Sequence, residues 1–128
     1  MKELAAEIQR FAEERGWVKH HAPKNLVMAL SVEVAELAEH FTWLTAEDSA
    51  SLGPDELSDV ADEVGDVVIY LVNLCSKLGI DPVKAARDKL EKAKLKYPAE
   101  AFRERPEPAR ARGPKFAIQT AADTNERK

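Results

Sequence analysis

SVEVAELAEHFTW, residues 31–43, decides the fold. At 100° per residue and with Glu33 at zero, Leu26, Val27, Leu30, Val34, Leu37 and Phe41 lie between about 20° and 120°. This is the stripe of a helix that buries one face. Glu33, at zero, and Glu36, at about −60°, flank the stripe on one side instead of opposing it. DEVGDVVIYLV, residues 62–72, repeats the layout. With Glu63 at zero, Val60, Val64, Val67, Leu71 and Leu74 span about 20° to 100°, with Asp66 at about −60° and Tyr70 at about −20°.

No alternating strand pattern and no Asn-Gly or Asp-Gly hairpin occurs, so the class is all-α. The spacing predicts a four-helix bundle with helices at about 2–15, 23–43, 54–78 and 81–97. Gly16 and Gly79 sit at stop positions, Pro23, Pro54 and Pro82 in first turns, and LTAEDSASLG reads as a polar loop between the second and third helices. The third helix carries Asp55 and Glu56 in its first turn, where acid complements the helix dipole. Past Pro98 three further prolines and scattered charge predict a flexible tail over 99–128, with PKFAI as a short docking segment at most, and one folded domain over 1–98.

Charged residues at 33% and the lack of an apolar run of membrane-spanning length argue for a chain that neither crosses nor lies in a membrane. Without a signal-peptide pattern at its start, the expected location is the cytoplasm. The single cysteine, Cys75 in VNLCSKL, reads as a small core residue. Residues 1–78 hold 6 Lys+Arg against 15 Asp+Glu, net −9, whereas 79–128 are net +5. The acidic half offers no basic face to a nucleic-acid polymer.

If the second and third helices pack antiparallel through their stripes, Glu33, Glu36, Glu63 and Asp66 converge. Four carboxylates in a partly dry space repel one another unless a cation offsets them, and oxygen-only ligation favours Mg²⁺, or Mn²⁺, over zinc. The histidines offer no competing set: His20 and His21 are adjacent, and His40 has no second histidine nearby. A di-iron bundle would carry Glu-x-x-His motifs, which are missing here. The opposing reading is a solvated acidic edge. Glu56 and Asp59 repeat the three-residue spacing one heptad earlier, and spacing alone does not choose between the sets. The middle of the third helix, beside its strongest apolar run, favours Glu63 and Asp66.

Tryptophan is more often core than ligand, yet Trp17 follows the Gly16 stop and Trp43 closes the second helix on the Glu36 side. Both suit stacking on a base. Lys89, Lys92, Lys94 and Lys96 give the fourth helix a basic surface that dipole compensation largely explains. Lys89 and Lys96, seven apart on one face, could meet phosphates.

The pattern E-x-x-E over 33–36, 26 residues, then E-x-x-D over 63–66 resembles the metal motif of the MazG-like all-α nucleoside triphosphate pyrophosphatases. FAEERGW (11–17), HAPKNLVMALSVEVAELAEHFTW (21–43), DVVIYLV (66–72) and KYP (96–98) look like its small dCTP pyrophosphatase branch. The resemblance implies Mg²⁺-dependent hydrolysis of a nucleoside triphosphate, dCTP or a modified dCTP, to monophosphate and pyrophosphate. Glu33, Glu36, Glu63 and Asp66 match the metal ligands, which settles the choice against Glu56 and Asp59. Trp17 and Trp43 match base-holding aromatics, and His21 and Tyr70 match nucleotide contacts. Lys89 and Lys96 fit a K-x-x-x-N-x-x-[KR]-Y-P pattern. Ile8 stands where the branch has a polar ring and Ala93 where it has Asn. The resemblance further implies a homo-oligomer, a tetramer built from dimers, with pockets completed by neighbouring subunits. Beside this reading stand a differently tuned or broad NTP/dNTP hydrolase of the same family and a non-enzymatic helical association module.

Overall fold

The computed structural model describes residues 1–103, all of whose regular structure is helical. Its helices are α1 (Lys2–Glu14), α2 (Pro23–Glu39), α3 (Ala46–Ser49), α4 (Pro54–Leu78), α5 (Pro82–Lys96) and α6 (Ala99–Arg103). The four long helices are those that the spacing predicts. PKFAI and the rest of the expected tail from residue 104 lie outside the described residues.

Two helix ends set the geometry. At the end of α1, Gly16 takes φ 67°, its N–H bonds to Glu13 O at 3.1 Å, and the Trp17 N–H returns to Ala12 O at 2.9 Å. This is a Schellman ending, which needs a residue free to adopt positive φ. Its usual apolar contact is present too, because Trp17 packs edge-on against Phe11 at 5.6 Å. A single 3₁₀ turn, Val18–His20, then leads into α2, which starts with Pro23 in its first turn. Gly79 ends α4 in the same way, with φ 66° and the Ile80 N–H bonded to Cys75 O at 2.9 Å. Asp81 Oδ1 caps α5 by accepting from the Val83 and Lys84 N–H groups at 2.9 and 3.1 Å.

Three expectations need correction. α2 ends at Glu39 and not at Trp43: the Phe41 N–H bonds to Ala38 O and the Leu44 N–H to Phe41 O, each three residues back at 3.0 Å, so the chain leaves α-helical geometry in 3₁₀-type turns, while the Thr42 N–H and hydroxyl both take Ala38 O, at 3.0 and 2.9 Å. The supposed loop LTAEDSASLG contains α3, one turn capped by Thr45 Oγ1, which accepts from the Asp48 N–H at 3.0 Å. A single turn is too short to show a period. The expected tail opens with α6.

The described residues divide into two packing units, one over residues 1–86 and the other over residues 87–103, with the boundary inside α5. In the first, α4 packs against α2 and α1. Its core is small: Ile8, Ala12, Leu26, Val72 and Cys75 are the buried apolar residues, so Cys75 is core as its setting suggests. The stripe on α2 is covered only in part. Leu26 is buried and Leu30, Leu37 and Phe41 are half-buried, but Val27 and Val34 are exposed, as are Val64 and Leu71 of the α4 stripe. In the second unit Tyr97 meets Phe102 edge-on at 5.9 Å, and Lys96 Nζ lies 5.5 Å from the Tyr97 ring centroid. Among the described residues no helix is long and apolar enough to cross a membrane.

Candidate functional site

α2 and α4 run antiparallel where they meet, since His21 pairs with Asn73 at one end and Glu33 and Glu36 meet Glu63 further along. The stripe that draws the helices together therefore carries both acidic edges into one place. Carboxylate oxygens of Glu33, Glu36 and Glu63 all lie within 4.8 Å of one another. Asp66 is close enough for its charge to act on both Glu33 and Glu63.

The electrostatics would suit a cation. The Glu33 carboxyl is pushed above its ordinary value, first by desolvation and then by the Glu36 charge and a hydrogen bond with Glu36, with smaller contributions from Asp66 and Glu63. Glu63 is raised by desolvation, then by Glu36 and Asp66, while His40 opposes the rise from Nε2, 3.9 Å from Glu63 Oε1. Glu33 Oε2 and Glu63 Oε2 are shielded from solvent and have no hydrogen-bond partner among the described residues. Two buried carboxylate oxygens without a donor are costly, and a divalent cation supplies what both lack. The oxygen donor set suits a hard ion.

Of the competing pair, Glu56 has another task. Glu56 Oε2 accepts from the Gly53 N–H at 3.4 Å, so Glu56 helps cap the start of α4. Asp59 is exposed and stands outside the carboxylate cluster.

One helical turn from the acids lies a cavity of about 450 Å³, lined by Trp17, His20, His21, Asn25, Leu26, Ala29 and Tyr70. Ala29 precedes Glu33 by four residues and Tyr70 follows Asp66 by four, so on each helix cavity and acids are about 6 Å apart along the axis. The structure thus brings Trp17, His21 and Tyr70 together. Trp17, 48% exposed, is held at the cavity by the Schellman ending and Phe11. His21 is displaced below its ordinary pKa by burial, with Lys77 and His20 adding to the effect. Trp43 is not brought there: it stands beyond the end of α2, 92% exposed, outside the cavity lining. Ile8 is buried in the core and does not line the cavity. Lys89 and Lys96 are exposed residues of the second unit.

Reasoning from the sequence missed His20, Asn25, Ala29 and Asn73. Asn25 donates from Nδ2 to His20 O at 3.1 Å, tying the 3₁₀ turn to α2. The signal for Asn73 was present, a lone amide in the apolar run YLVNLC.

The MazG-like family model matches residues 28–107, and the chain belongs to this family. Among characterised relatives, dCTP pyrophosphatase 1 of Homo sapiens is 40% identical over 95 residues, covering 73% of this chain and 56% of the relative, and the protein of the same name from Mus musculus is 38% identical over the same length. The chain thus spans a little over half the length of these relatives. The crystal structure of a pyrophosphatase from Archaeoglobus fulgidus is similar with a TM-score of 0.73 at 40% identity, over 77% of this chain and 92% of that one.

Proposed function

We propose that the chain is a Mg²⁺-dependent nucleoside triphosphate pyrophosphohydrolase that converts a (deoxy)nucleoside triphosphate, dCTP or a modified dCTP, to the monophosphate and pyrophosphate. The observation that carries this reading is the placement of an aromatic-lined cavity and a shielded carboxylate cluster one helical turn apart on the same two helices. A nucleotide has that layout, with a flat base at one end and a polyanion needing a cation at the other. The names of the relatives support the same reaction.

In this reading Glu33, Glu36, Glu63 and Asp66 hold the ion, with Mn²⁺ able to substitute. Bound there, Mg²⁺ would neutralise triphosphate charge and acidify an attacking water. Trp17, His21 and Tyr70 hold the base, and Lys89 and Lys96 meet phosphates. Trp43, outside its own chain's cavity, would reach a base only across a subunit interface. The exposed apolar residues of α2 and α4 support a homo-oligomer, with the tetramer as its proposed form. The cytoplasm, where nucleotide pools lie, is the proposed location.

A panel of NTPs and dNTPs read by pyrophosphate release tests the reaction and separates a dCTP enzyme from a broader hydrolase. Glu56→Gln and Asp59→Asn are expected to retain most of the activity, because neither residue belongs to the cluster. Equal losses there and at Glu36 or Asp66 would overturn the site assignment. If the uncovered apolar faces serve association alone, no member of the panel is hydrolysed.

A second test uses stability. Glu33 and Glu63 have folded-state pKa values raised above their ordinary 4.5. As pH rises past that value, the unfolded chain releases these protons before the folded one does, so the metal-free fold loses stability through the raised values. Mg²⁺ removes this penalty. The Tm gain on adding Mg²⁺ is therefore expected to be larger at neutral than at acidic pH, as differential scanning calorimetry would measure. A gain independent of pH would count against these ligands.

A further inference from the structure

Asn73 is the one buried polar residue among those described, 5% exposed between Val72 and Leu74. Its Nδ2 lies 3.1 Å from Nδ1 of His21, across 52 residues of sequence. With the amide oriented so that Nδ2 faces the ring, Asn73 donates and Nδ1 is the accepting nitrogen of the imidazole. The ring's single proton is then on Nε2. Burial, with Lys77 and His20 nearby, favours the uncharged ring, consistent with this arrangement. His21 also lines the cavity. With Nδ1 occupied by Asn73, the edge left for a ligand is the Nε2–H.

We propose that Asn73 is a positioning residue that locks His21 as a neutral Nε2–H donor, so that this side of the cavity selects a hydrogen-bond acceptor, such as a ring carbonyl or unprotonated ring nitrogen of a nucleobase. The choice of nucleobase rests on the functional reading above; the tautomer lock does not. A ligand offering only an amino group to His21 leaves both donors unpaired, and desolvated groups without partners weaken binding. Asn73 touches no substrate and acts through His21 alone.

Long-range ¹H–¹⁵N correlation spectra of the uniformly ¹⁵N-labelled full chain, taken where the ring is neutral, read the tautomer directly. The wild type is expected to show His21 protonated on Nε2, and a shift of that nitrogen when dCMP is titrated in. Asn73→Asp puts an acceptor against Nδ1 and is expected to move the proton of the neutral ring to Nδ1. Asn73→Leu is expected to raise KM for the best triphosphate by about fivefold, the worth of one neutral hydrogen bond, with kcat little changed. An Nδ1–H signal in the wild type overturns the inference even if the triphosphate is hydrolysed. An Nε2–H signal with no triphosphate hydrolysed leaves the lock standing and removes the functional reading instead. Should Asn73→Leu fail to fold, the wild-type spectrum and Asn73→Asp still decide.

Discussion

Glu36→Gln is expected to lower kcat/KM for triphosphate hydrolysis by more than about a hundredfold, because outer partners of metal ligands already contribute 10- to 100-fold and a direct ligand contributes more. The same substitution is expected to raise the Tm of the metal-free chain. Glu36 is the foremost neighbouring charge acting on both Glu33 and Glu63. Gln keeps the volume and nearly the same helix propensity, so the change removes a charge and little else. Lost activity with increased metal-free stability is the signature of a site whose repulsion is held for function. Calorimetry and pyrophosphate release on one preparation would provide both readings. A variant that is both inactive and less stable would show that Glu36 supports the fold, and the assignment would fail.

The acidic site was legible because a helix has a fixed period. Once the stripes on α2 and α4 are recognised, packing leaves Glu33, Glu36, Glu63 and Asp66 few places to be except together. The helix ends were legible for a similar reason: Gly16 and Gly79 occupy positions that require positive φ, and Pro23, Pro54 and Pro82 cannot sit in a helix interior without loss. Other features depend on partners distant in sequence. Nothing within YLVNLC reveals that Asn73 meets His21, 52 residues away. α2 read as continuous to Trp43 because Phe41 and Trp43 extend the apolar pattern, whereas the Thr42 side chain competes locally for Ala38 O. The exposure of Val27 and Val34 marks a different limit. A hydrophobic period identifies surface that needs cover without saying whether the same chain supplies it.

Leu26→Ala is expected to destabilise the chain by about 2–5 kcal/mol, the usual range for truncating a buried leucine. For the roughly 100 described residues that is a Tm decrease of at least about 8 °C. Leu26 is 1% exposed, the largest fully buried side chain among the described residues, in a core with few others to share the load. It also lines the cavity with Trp17, His21 and Tyr70, so one side chain is both core and pocket wall. Leu26→Met keeps the volume and is expected to cost under about 1.5 kcal/mol. It should therefore retain the fold while reshaping the wall, with its effect seen in KM more than in Tm. Thermal melts of both variants over a range of protein concentrations would also separate two sources of stability. If a second copy covers Val27, Val34, Val64 and Leu71, Tm rises with concentration in every variant, because association stabilises by mass action. If the single chain bears its own stability, Tm stays fixed and the Leu26→Ala loss appears in full. A Leu26→Ala loss of only one or two degrees at low concentration would mean that Leu26 is not central to the core.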